Sequence, residues 1–346
     1  MVLQGQASGK GHTRMTERQR QVDDVARRLA EFLGPGDVQA GARVARYTTW
    51  RVGGTARLLC VARDGERLRR AVETMRGAGL PWIVLGRGSN VLVDDAGVEG
   101  AVIVNRADAL TIEGATARAE SGVLLGVLAR RTVEAGLLGL EWCHDIPGSV
   151  GGAVVNNAGA NGGAMADVLR SVLLAPAGGD GTAPAVREET AEGLRFGYRR
   201  SLLRREEPMR ADERPVVLSA TFELARGEVG AIKERMGAQR ERRKRTQPGG
   251  ASAGSTFKNP EGDSAGRLVE SLGLKGYTVG DASISTMHAN FIVAGPRATA
   301  ADVLALVAYA RRRVRAEYGV VLEPEIQYIY HDGRVGPPPL KDIEAP

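Results

Sequence analysis

The sequence predicts a mixed α and β protein of two or three domains. Its 346 residues exceed the roughly 100 to 200 that one soluble domain usually takes. Hydrophobic residues at 43% and charged residues at 25% match folded soluble chains and exclude a largely disordered one. Short apolar runs of strand character alternate along the chain with apolar stripes at helical spacing.

No stretch approaches the ~20 apolar residues of a membrane span, and the polar N-terminus carries no signal-peptide segment. A cytoplasmic protein is therefore expected, with no membrane contact. Cys60 and Cys143 are too few for a disulfide framework, and His12, His144, His288 and His331 are scattered, so no structural metal is expected. The net charge is +6, and six of the 47 basic residues are lysine, the other 41 arginine. A basic phosphate-binding or nucleic-acid-binding protein is one reading of that charge. Interleaved acids and an aromatic content of 4% argue against nucleic acid. The dense run Arg240, Arg242, Arg243, Lys244 and Arg245 is explained by a solvated last turn of a helix.

Residues 1–15 read as a disordered leader. A helix over 16–36 follows, with Thr16 and Gln19 as a capping box and Val22, Val25, Leu29 and Leu33 as its stripe. Leu68, Ala71, Val72 and Met75 mark a second helix, ended by Gly77, Gly79 and Pro81. Strands are expected at Trp82 to Leu85 and Val91 to Val93. The loop between them lacks the third glycine and following helix of a dinucleotide-binding Rossmann turn. Val123, Leu124, Val127 and Leu128 mark a helix ending near Gly136, and strands follow between Ser171 and Leu224, with a hairpin at Gly178 to Gly181. The charged stretch Arg204 to Arg214 reads as a surface insertion, and a linker near Arg226 as a domain boundary. Beyond it come a helix with Val229, Ile232 and Met236, a helix from Asp302 to Tyr318, a strand at Val320 to Tyr330, and a tail from 333.

Three segments carry candidate chemistry. In Gly86-Arg87-Gly88-Ser89-Asn90 small residues between two strands let successive N–H groups face a phosphate, though a plain glycine turn fits equally. Six glycines lie between Gly148 and Gly163, which suits a backbone laid against a flat ring, or a flexible loop. In Gly254-Ser255-Thr256-Phe257-Lys258-Asn259 a hydroxyl precedes a cation and an amide, so it could donate a proton beside an anion, or simply cap a turn.

In this order the segments resemble the UDP-N-acetylenolpyruvoylglucosamine reductase family. Thr48 to Gly54, Leu85 to Val93, Gly139 to Gly163, Phe196 to Arg199, Thr246 to Pro248, Ala253 to Pro260, His288 to Asn290 and Leu322 to Glu325 carry the likeness. It covers roughly residues 37 to 330 and is similar to the family's second structural class, which lacks an extra tyrosine-bearing loop. The resemblance implies an α+β fold. A two-lobed FAD-binding region of the vanillyl-alcohol-oxidase (PCMH) type at 37–225, with lobes 37–106 and 107–225, precedes a smaller substrate-binding domain at 226–332 and a tail at 333–346.

The resemblance also implies FAD, with NADPH as hydride donor, a UDP-sugar substrate and a monomer. It places catalysis on Arg199, Ser255 and Glu325. Cofactor contacts fall on Arg51, Gly53, Gly86, Gly88, Ser89, Asn90, Ser149, Gly151, Gly152, Asn157 and Gly159, and substrate contacts on Tyr198, Arg245, Lys258 and Asn259. The alternative enzyme is another FAD oxidoreductase of the same fold. Cys143-His144-Asp145, Asn161 and Ala294 depart from the family pattern.

Overall fold

A computed structural model describes residues 17–176, 186–204, 206–210 and 213–340. The expected leader, Thr16 and the hairpin glycines 178–181 lie outside them. Helix α1 (Glu17–Leu33) buries Val22, Val25, Leu29 and Leu33. Helix α2 (Gly65–Arg76) is capped by Asp64, whose side chain accepts the Arg67 N–H, and buries Leu68, Ala71, Val72 and Met75. Both stripes are as the 3.6-residue period requires.

These helices cover one face of a four-stranded sheet ordered Val38–Arg43, Thr55–Ala62, Val98–Asn105, Trp82–Leu85. The first pair is antiparallel and the other two are parallel. Leu58, Cys60 and Ile103 face the helices, whereas Leu59, Val102 and Leu85 face a second core with Val93 and Ile329. Burial on both faces explains why these strands read as continuous apolar runs.

The second lobe is an antiparallel sheet ordered Arg187–Thr190, Leu169–Ala175, Val216–Glu223, Thr116–Glu120, Leu110–Glu113. Helix α3 (Leu125–Glu134) and the short helix α4 (Val150–Val155) share its core. The glycine-rich segment is thus partly helical, anchored by buried Val150, Ala153 and Val154. Helix α5 (Val229–Thr246) was assigned by the sequence to the C-terminal domain, but it packs against α3 and the turn Glu141–Cys143. The chain therefore leaves the second lobe after Thr246 rather than near Arg226.

The C-terminal domain sets α6 (Ala265–Ser271) and α7 (Ala300–Tyr318) against the strands Thr278–Val279, Ala282–Ile284 and Ile292–Ala294. Thr299 and Asp302 form a capping box that starts α7 before the expected Asp302, and Gly319 ends it at φ 68°.

The expected strand from Val320 to Tyr330 is shorter. Pro324 has no N–H to donate, and Glu323 to Glu325 instead lie along Thr256 to Lys258, with Lys258 N donating to Glu323 O and Glu325 N to Thr256 O, both at 2.8 Å. Only Gln327–Ile329 is a strand, and it runs parallel to Val91–Val93 of the first lobe. The expected tail begins too early, because Arg334–Gly336 pairs with Gln327–Ile329 and with Met209–Arg210, and Leu340 is buried in the C-terminal core.

Candidate active site

A deep cleft runs from the Gly86 to Asn90 loop to the C-terminal domain. Of the residues expected to function, it is lined by Gly86, Gly88, Ser89, Asn90, Ser149, Gly151, Gly152, Gly159, Arg199, Ser255 and Glu325. The loop leaves the first sheet at Leu85 and enters the mixed sheet at Val91, so it spans two sheets at their common edge. Among the described residues, no partner accepts the backbone N–H groups of Arg87, Gly88 or Ser89. Three adjacent free donors on a cleft wall fit a diphosphate. The loop's shape is enforced from behind: Gly88 has φ 65°, and a Cβ there would sit 2.3 Å from the Tyr47 carbonyl oxygen. A Cβ on Gly86 would meet Ser149 Oγ at 2.2 Å. By contrast, Gly254 has φ 76° and open space around its missing Cβ, which leaves room on the cleft wall beside Ser255. Free donors, close glycine packing and open volume together fit FAD.

Asn90 lines the cleft, and its Nδ2 also donates to the Glu325 carbonyl at 3.2 Å and to Asn156 Oδ1 at 3.4 Å, so the amide ties the loop to both of those segments. Asn157 is not among the residues that line the cleft. It is buried, donating to Gly197 O at 2.8 Å and accepting from Ala166 N at 3.1 Å, which ties the glycine-rich segment to the turn bearing Arg199.

Arg199 has φ 54°, a left-handed conformation that aims its side chain back across that segment. Its Nη2 donates to Gly159 O at 2.8 Å, and its Nε lies 2.8 Å from Glu325 Oε1, off the hydrogen-bond direction. Burial pushes the Glu325 carboxyl above the usual carboxylate range against the pull of Arg199, Arg204 and Lys258. The Ser255 hydroxyl makes no hydrogen bond to any described residue, so it caps no turn. It is brought beside Glu325 by the pairing of 256–258 with 323–325.

Tyr198, Lys258 and Asn259 lie outside the cleft lining but together. The Tyr198 ring stacks under Arg199 at 5.5 Å, its hydroxyl accepts the Asn259 N–H at 3.4 Å, and Lys258 pairs with Glu323. Arg245 lines an adjoining pocket with Arg242, Arg243, Arg267, His144 and His288, and Arg243 and Gln247 line both spaces. Burial lowers the His144 pKa, with Asp145 at 3.1 Å pulling the other way. Arg51 and Gly53 are not brought to the cleft. Arg51 is exposed, and Gly53, at φ 118°, is required because a Cβ would strike Val93 at 2.6 Å.

Sequence reasoning missed Asn156, Gln327 and Arg204. Arg204 was read as the start of a surface insertion, yet it is 7% exposed, because Asn156 and the Glu325 carbonyl accept from its guanidinium. Only the neighbouring Phe196 to Arg199 motif could have hinted at this.

An FAD binding domain family matches residues 56–182, and the C-terminal domain of UDP-N-acetylenolpyruvoylglucosamine reductase matches residues 246–329, which begins where α5 ends. UDP-N-acetylenolpyruvoylglucosamine reductase of Chloroflexus aurantiacus is 40% identical over 290 residues, covering 83% of this chain and 95% of that protein. The Halalkalibacterium halodurans reductase is 39% identical, covering 86% and 96%. The crystal structure of the reductase from Thermus caldophilus superposes with a TM-score of 0.68 at 38% identity, covering 84% of this chain and 98% of that one. This chain belongs to the UDP-N-acetylenolpyruvoylglucosamine reductase family.

Proposed function

We propose that this chain reduces the enolpyruvyl group of UDP-N-acetylglucosamine enolpyruvate to UDP-N-acetylmuramate, a step of peptidoglycan precursor synthesis. The observation that carries the reading is the meeting of Arg199, Ser255 and Glu325 on one cleft wall with the free donors of the Arg87 to Ser89 loop. When bound, FAD reduced by NADPH supplies the hydride that reaches the outer carbon of the double bond. The loop N–H groups would hold the FAD diphosphate, and Gly152, whose missing Cβ meets only Ser149 Oγ at 3.7 Å, would give the flat ring close access, with Gly151 and Gly159 beside it on the lining.

Reduction leaves negative charge spread over the adjoining carbon and the substrate carboxylate. Arg199 grips that carboxylate, since its Nε and Nη2 are oriented by Glu325 and Gly159. Arg199 stands on that wall while burial holds Glu325 beside it toward its neutral form, so positive charge remains where the negative charge develops. Ser255, unbonded and partly exposed, protonates the adjoining carbon, and Glu325, held toward its neutral form by burial, orients the reacting group and shares the proton. Arg245 and its arginine neighbours take the UDP diphosphate, with Tyr198, Lys258 and Asn259 along the sugar. A monomer is the proposed state, and NADPH supply suits the cytoplasm.

Half-reaction kinetics test the reading. Purified protein should carry FAD whose absorbance between about 370 and 460 nm bleaches anaerobically with NADPH and returns on adding the enolpyruvyl sugar. In Ser255→Ala bleaching should proceed at close to the wild-type rate, while the return slows by at least ~100-fold. A protein that cannot be reconstituted with FAD would refute the function, and an unchanged return would remove Ser255 from the chemistry.

A further inference from the structure

We infer that Arg204 is a positioning residue that clamps Glu325 and the glycine-rich cleft wall into one working arrangement, an inference that rests on the function proposed above. Its Nη2 donates to the Glu325 carbonyl at 2.7 Å and its Nη1 donates to Asn156 Oδ1. Asn90 Nδ2 reaches the same two oxygens at 3.2 and 3.4 Å. The end of α4 and the segment bearing Glu325 thus meet at one guanidinium, and the loop with free donors joins them through the two acceptors it shares with Arg204. A planar fork with fixed donor directions sets the spacing of two acceptors in a way a single flexible amine does not.

The backbone of Arg204 is itself held. Ser201 Oγ donates to Val155 O at 2.6 Å and accepts the Arg204 N–H at 3.3 Å, so the turn is fastened to the end of α4. Arg204 meets Glu325 through its carbonyl and does not line the cleft, so it acts on the chemistry through another residue. Its charge also bears on the Glu325 carboxyl. The groups facing that carboxyl are Arg199, Arg204 and Lys258, with Glu323 along the same segment, while Glu206 acts on Arg204 and pairs with Arg200. Burial disfavours the Arg204 charge, and Glu325 and Glu323 offset that cost.

Three variants of the FAD-loaded enzyme test this, each with a melting curve, kcat and KM for the enolpyruvyl sugar, and a 13C NMR titration of the glutamate carboxyls. The Glu325 resonance is assigned by its loss in Glu325→Gln. In Arg204→Met, Glu325 should titrate at higher pH because a nearby cation is gone, and kcat should fall at least about tenfold with a smaller change in KM. Arg204→Lys keeps the charge but not the fork, so the titration should return toward wild type while kcat recovers only in part. Asn156→Ala removes one arm without touching the charge, so kcat should drop with Glu325 titrating as in wild type, and this variant decides the matter if Arg204→Met does not fold. A lowered melting temperature with unchanged kcat and unchanged titration would make Arg204 a purely structural residue. If wild type itself fails to reduce the enolpyruvyl sugar, the proposed function falls, and the titration alone still decides whether Arg204 acts on Glu325.

Discussion

Asp95 of the first lobe caps a helix of the C-terminal domain. Its Oδ1 accepts the N–H of Ala300 at 2.7 Å and its Oδ2 that of Ala301 at 3.0 Å, so two unsatisfied donors at the start of α7 are met from another part of the chain. A second tie lies close by: the buried Trp50 indole donates to Ile292 O at 3.0 Å within the C-terminal core. Together they fix how the Ser255 wall faces the Gly86 to Asn90 loop.

Asp95→Ala should therefore cost about 1 kcal/mol, as loss of a helix cap does, and Asp95→Asn appreciably less. Urea unfolding of the two variants and wild type measures the difference. Equal stability of all three would mean that Thr299 and Asp302 alone start α7.

Gly88→Ala puts a side chain where φ is 65° and the Tyr47 carbonyl is 2.3 Å away. It should destabilise the protein by more than about 1 kcal/mol and weaken FAD retention, since the loop must move. Gly114→Ala is the control, because φ is 62° there but nothing lies within 4 Å. Flavin fluorescence titration and melting of the FAD-free protein should separate the two, and identical behaviour would show that loop crowding is unimportant.

The raised pKa of Glu325 has a stability sign. The folded state holds this proton more tightly than the unfolded state, so any contribution is present below the ordinary carboxylate pKa and is lost as pH rises through the folded value. Glu325→Gln should accordingly gain stability relative to wild type on going from acid to neutral pH. Melting curves across that range check it, and a difference that runs the opposite way would mean that the Arg199 ion pair outweighs burial.

Arg245 stands at the basic end of α5, in the pocket shared with Arg242, Arg243 and Arg267. The KM for the UDP-sugar should rise with ionic strength, and Arg245→Ala should raise KM far more than it lowers kcat. Kinetics indistinguishable from wild type at every salt concentration would reduce the run to a solvated helix end.

What the sequence determined by itself is what short-range periodicity and local chemistry encode. Val22, Val25, Leu29 and Leu33, and likewise Leu68 to Met75, recur at one helical turn and are buried together in α1 and α2. The loop at Gly86 to Asn90, Arg199, Ser255 and Glu325 could be named as candidates because each sits in a compact motif of the family the sequence resembles, and all of them line one cleft. Helix α4 was not, since its glycines oppose helix formation and buried Val150, Ala153 and Val154 hold it. Nor was the strand at Arg334–Gly336, whose partners lie in separate segments. Arg204 shows the limit most sharply: a charged stretch reads as surface, but its acceptors are 48 and 121 residues away. Whether a cation can be buried depends on the groups that fold against it, and for Arg204 those groups come from distant segments that only tertiary packing brings together.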